Sequence, residues 1–208
     1  YHALLEWHKA ASVLGPDELY QLVALFDFHT YLADKAEYTP YLTLYSMDSE
    51  RGKSRQGNSI AWVAYRGIVT ETLQEANLFR WSDSLQCTIF FDVRDLWRKA
   101  GKRNSEDILL GRFHRNGPKV ARVLDPQAGP FAGVTYFDTY GPTIIAINEP
   151  LREPMLSRAI VMVPPEATGK YRNLKPEDAL PLKERLVAFR ARHLLDPLPI
   201  VDKPIVGR

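Results

Sequence analysis

Short apolar runs alternate with segments of helical period along most of this chain, and that alternation limits the fold more than any other feature. Tyr41 to Tyr45, Cys87 to Phe91, Thr143 to Ile147 and Ala159 to Val163 are largely apolar, as strands buried on both faces must be. Between them lie helical stretches. Gly15-Pro16-Asp17-Glu18 opens one that runs to about Lys35, with Leu19, Leu22, Val23, Phe26 and Leu32 along one face. Another starts at Gly52-Lys53-Ser54 and continues through Trp62, Val63 and Tyr65, and a further strand and helix are expected around Gly67 to Thr70 and Glu71 to Arg80. A helix carrying Leu109, Leu110 and Phe113 ends before Gly117-Pro118, and a last amphipathic helix covers about Pro176 to Leu195. Lys119 to Leu124 and Val134 to Phe137 flank a Pro/Gly-rich turn and form a hairpin. Such a chain builds an α/β fold in three αβα layers, with a mostly parallel sheet, a hairpin insertion and flanking helices. The expected organisation is a helical lead-in over residues 1–36, one core over 37–165 and a C-terminal helical segment over 166–208.

Composition narrows the function classes. Lys plus Arg number 27 and Asp plus Glu 25, so nucleic acid or an acidic ligand would need a local patch rather than a general field. The single cysteine, Cys87, excludes an intrachain disulfide framework and points to a reducing compartment, the cytoplasm. The histidines His2, His8, His29, His114 and His193 show no zinc-ligand spacing, and no G-x-S-x-G elbow is present. No apolar run is long enough to span a bilayer, so no membrane partner is expected. The opening at Tyr1 and the close at Ile205-Val206-Gly207-Arg208 suggest a piece of a longer protein.

In parallel sheets ligands bind beyond the carboxyl ends of the strands, where Ser46, Asp92 and Asn148 stand. Gly52-Lys53-Ser54 after a strand has the form of the second half of a phosphate-binding loop. Backbone N–H groups and a helix N-terminus cradle phosphates there, the lysine reaches the β and γ oxygens, and the hydroxyl holds Mg²⁺. Read alone, the tripeptide fits such a loop or a surface turn. Asp92, closing Thr88-Ile89-Phe90-Phe91, fits a metal-holding acid or a helix cap. The joint order of strand, Gly52-Lys53-Ser54, strand with Asp92, strand with Asn148, then Arg158 favours the first reading of each. Arg112, His114, Arg115, Lys119 and Arg122 run as a basic cluster into the hairpin, suited to a nucleic-acid backbone or to a solvated surface.

Tyr41-Leu42-Thr43-Leu44-Tyr45-Ser46 ahead of Gly52-Lys53-Ser54-Arg55, Leu78-Phe79-Arg80 ahead of Phe90-Phe91-Asp92, Arg112 to Arg122, Tyr140-Gly141-Pro142 and Leu156-Ser157-Arg158-Ala159-Ile160-Val161 belong to one pattern. Over about Leu25 to Leu195 the chain resembles the P-loop ATPase domain of phage, plasmid and integrative-element replication proteins. The resemblance implies a P-loop NTPase fold related to AAA+ and superfamily 3 helicases, ATP and Mg²⁺ as cofactors, DNA as a partner and a homo-oligomer as the working form. It implies that Gly52, Lys53, Ser54 and Arg55 hold the nucleotide, that Ser54 and Asp92 hold the metal, and that Asn148 orients water. It makes Arg158 an arginine finger acting across a subunit interface, and matches the hairpin, with Arg115, Lys119 and Arg122, to a pre-sensor hairpin on DNA. Two departures stand out. Met47 and Glu50 leave the loop poor in glycine and add a negative charge, and Val93 stands where a glutamate normally activates the attacking water, with Asp95 the nearest replacement. Three functions follow: an ATP-driven motor on DNA, a nucleotide-binding or structural module that has lost turnover, and a nucleic-acid-binding domain that uses the hairpin alone.

Overall fold

Side chains in a strand point alternately to opposite faces, so an all-apolar strand needs cover on both. The computed structural model, which describes residues 1–48, 51–103, 105–125, 127, 129, 132–167 and 169–199, provides it. Strands β1 (Tyr41–Tyr45), β2 (Ile68–Thr70), β3 (Ile89–Asp92), β6 (Thr143–Ile147) and β7 (Ala159–Met162) form a five-stranded parallel sheet in the order β2-β3-β6-β1-β7. β4 (Val120–Val123) and β5 (Val134–Phe137) pair antiparallel as the expected hairpin. Ile89, Phe91, Ile145 and Ile147 pack on one face beneath α4 (Glu75–Arg80), α5 (Leu96–Lys102), α6 (Glu106–Gly111) and α7 (Glu153–Leu156). Leu42, Leu44, Phe90, Ile144 and Ala146 pack on the other beneath α2 (Asp17–Leu32) and α3 (Lys53–Val63). The protein is therefore α/β, a parallel sheet with helices on both sides. Each fully buried Leu, Ile or Phe contributes about 1.5–3 kcal/mol, so the two faces hold the sheet between its covers.

The lead-in contains α1 (His2–Ala11) as well as α2, and α1 packs through Leu4, Trp7 and Ala11 with Tyr31, Val63 and Leu186 of α8 (Leu180–Arg192). Beneath α1 the His8 Nε2 lies 2.6 Å from Asp27 Oδ2 and its Nδ1 lies 3.1 Å from Ser59 Oγ. Although serine, histidine and aspartate meet here, all three are completely buried, so no substrate reaches them; they tie α1 and α2 to α3.

Two elements depart from the sequence reading. The stretch before Gly117 is not one helix but α5 and α6, and Phe113 lies beyond the helix end, where its carbonyl accepts from the Thr39 N–H at 3.0 Å. Arg112, read as part of a surface cluster, is fully buried. Its five N–H donors reach Thr143 Oγ1, Ser82 Oγ and the carbonyls of Thr139, Cys87 and Pro142. Among the described residues no helix is long and apolar enough to cross a membrane. The residues Ile205 to Arg208 lie outside the described residues.

Candidate functional site

Register sets the site. Tyr45 pairs with Ile147 and Asp92 with Ala146, so β1, β6 and β3 end together at one edge, and the Ser46 N–H donates to the Ile147 carbonyl at 3.2 Å. Beyond that edge opens a cleft of about 660 Å³ whose walls include Met47, Asp48, Gly52, Lys53, Ser54, Asp92 and Asn148. The strand bearing Asn148 stands between the one that leads into Gly52 and the one that ends in Asp92.

The chain turns from the loop into α3 at Gly52, whose φ of 70° lies in the left-handed region. Space demands glycine as well, since a Cβ there would lie 2.1 Å from Ser12 Oγ. No side chain caps α3, so its first amides and the positive end of its dipole are left for an anion at the cleft. The Lys53 ammonium donates to the carbonyls of Ser46 at 2.7 Å and Asp48 at 2.9 Å. Burial pushes its pKa below the ordinary lysine value, opposed by the nearby charges of Asp48 and Asp92. An anionic oxygen can take the place of those two carbonyls. Mg²⁺ held together with phosphates takes only one or two protein oxygens, and Ser54 and Asp92, both on the cleft wall, are the residues that could offer them.

Other anticipated residues lie elsewhere or are engaged. Asp95, at φ 54°, turns out to solvent and pairs with Arg98, whose hydrogen bond holds the carboxyl below its usual range; it is not part of the cleft. Arg55 borders the cleft, but its guanidinium donates to the carbonyls of Ala11 at 3.1 Å and Arg172 at 2.7 Å, clasping α1 and the C-terminal segment. Val93 borders the cleft yet is buried at 2 % exposure against the core, so a glutamate in its place would start from apolar surroundings and extend toward the cleft. Glu50 lies outside the described residues.

Arg158 stands at the opposite edge of the sheet, immediately before β7, where its carbonyl accepts from the Tyr41 N–H at 3.1 Å. Its guanidinium lies over Phe113, 5.2 Å from the ring centre, and donates to the Leu110 carbonyl at 3.3 Å. Lys119 and Arg122 line a second pocket with Arg158 at that edge, and Arg115 and Lys119 a third. Arg122 is paired with Glu75 and lies over Phe79, which leaves Arg115 and Lys119 as the exposed cations of the trio.

The cleft also contains residues that motif reasoning passes over. Asp48 and Arg51 pair within the loop, and Arg94 borders the cleft two residues past Asp92. Only their places after strand ends could have pointed to them. Glu149, next to Asn148, is spent on the N-terminus of α5, accepting from the Trp97 N–H at 3.1 Å. Compared with known proteins, the chain matches no family model and no curated protein sequence.

Proposed function

We propose that the cleft binds ATP with Mg²⁺ and that the chain is the ATPase part of a helicase-like replication protein acting on DNA. The observation that carries this reading is the meeting of an uncapped helix N-terminus, the Lys53 ammonium, Asp92 and Asn148 at one sheet edge. The α3 amides and Lys53 would hold the phosphates, and Ser54 with Asp92 would hold the metal, which when bound neutralises phosphate charge. Asn148 would orient the attacking water. The exposed cations Arg115 and Lys119, on the far edge of the sheet, suit a DNA backbone.

A second reading, a nucleotide-binding module with little turnover, is favoured by the carboxylates of the cleft. Among the described residues lining it these are Asp48, already paired with Arg51, and Asp92, committed to the metal in this scheme. No free base remains there, so hydrolysis is expected to be slow. Calorimetry with Mg·ATP tests the site: the parent binds and Lys53→Ala loses binding. Equal affinity in both proteins, or no binding by the parent, rejects the assignment. Steady-state turnover of the parent then separates the two readings.

A further inference from the structure

We propose that Arg94 is an anchor, within the same chain, for the terminal phosphate of a bound nucleoside triphosphate, so that the cleft prefers triphosphates to diphosphates. This rests on the nucleotide reading above. β3 ends at Asp92, the buried Val93 fixes the backbone beyond it, and Arg94 emerges exposed at the cleft wall. Lys53 reaches the same cleft from the loop after β1, with β6 and Asn148 standing between the two cations. A phosphate chain that starts on the amides of α3 and runs past Lys53 toward Asn148 and Asp92 therefore brings its last group nearest Arg94.

Charge supports the assignment. The neighbouring guanidiniums are engaged, Arg51 by Asp48 and Arg98 by Asp95, whereas among the described residues no carboxylate pairs with Arg94. Val93 places no acid between Asp92 and Arg94, so the cation is not neutralised from the position where an acid would otherwise stand. A planar guanidinium presents parallel N–H donors that match two oxygens of one phosphate, which an ammonium cannot do. In this arrangement a third phosphate adds negative charge where this cation, unpaired among the described residues, lies, and a diphosphate ends short of it.

The test compares Mg·ATP and Mg·ADP affinities by calorimetry for the parent, Arg94→Ala, Arg94→Lys, Arg98→Ala and Lys53→Ala. A hydrogen bond to a charged group is worth about 1.5–3 kcal/mol, so Arg94→Ala should weaken Mg·ATP about 10- to 100-fold while Mg·ADP binding is unchanged. Arg94→Lys should fall between, and Arg98→Ala should match the parent for both nucleotides. If Lys53→Ala loses both nucleotides while Arg94→Ala loses neither, or loses both equally, the anchor is overturned and the nucleotide site stands. A parent that binds neither nucleotide overturns both. The thermal melting of Arg94→Ala, an exposed substitution, should coincide with that of the parent.

Discussion

Arg112 shows how much one side chain can organise. Among the described residues its buried guanidinium has no carboxylate partner within hydrogen-bond reach and satisfies itself on two hydroxyls and three carbonyls, and burial lowers its pKa from the ordinary arginine value. Those acceptors come from the starts of β3 and β6 and from the turn after α4, so the side chain sets where two sheet strands begin. Arg112→Met keeps bulk but removes the donors to the Thr139 and Cys87 carbonyls, each costing about 1–3 kcal/mol when unpaired, while the Pro142 carbonyl keeps the Ile89 N–H and the two hydroxyls keep their own acceptors, so a loss of about 2 kcal/mol or more is expected in urea unfolding. His29 offers a pH test. It is half-buried, lies 2.8 Å from Thr39 Oγ1, and burial lowers its pKa. The unfolded histidine takes up its proton near about pH 6.5 while the folded one resists, so the unfolded state binds more protons as pH falls through that window and stability drops. In His29→Gln the fall in the urea midpoint between about pH 7.5 and 5.5 should be shallower than in the parent.

At the scale of elements, α3 lies unusually close to the sheet. A Cβ on Gly57 would lie 2.0 Å from the tip of the Phe90 ring, and Phe90 is completely buried and has nowhere to move. On an open helix Gly→Ala stabilises by about 1 kcal/mol; here overpacking of about 1–3 kcal/mol opposes it, and Gly57→Ala should lower the urea midpoint. Phe90→Leu in the same chain should recover part of that loss through relieved crowding, measured as a coupling between the two changes. The strands were legible because a doubly covered strand must be apolar along its length, Asp92 and Asn148 because they punctuate strand ends, and Lys53 and Ser54 because they follow a glycine at a helix start. α1 and α5 were not. α1 has no side-chain cap and no acid in its first turn, and α5 spans only seven residues with a glycine near its end. Arg94 and Asp95 are adjacent charges with no period to separate them, and only the left-handed turn at Asp95 sends one outward while the other borders the cleft.

Across the whole molecule, the cleft at Lys53 and Arg158 occupy opposite edges of one sheet, so a role for Arg158 in the proposed hydrolysis requires a second copy placed head to tail. If it serves there, turnover per chain should rise with protein concentration, and Arg158→Ala should lower turnover by about 10³-fold or more with ATP affinity kept. Mixing Arg158→Ala with Lys53→Ala protein should restore part of the rate, because each supplies what the other lacks; a rate independent of concentration would place Arg158 in structural work on Phe113 alone. The join beneath α1 bears on how much of the chain can stand by itself. His8 is the sole hydrogen-bond partner among the described residues for the Asp27 carboxylate, which is buried completely and whose other oxygen has none. Removing α1 would leave that acid orphaned against the back of α3, the helix that opens at Lys53. The smallest autonomous folding unit is therefore expected to begin at or before His8, and a limited-proteolysis fragment trimmed to the strands and their nearest helices should lose the order of α3 along with its lead-in.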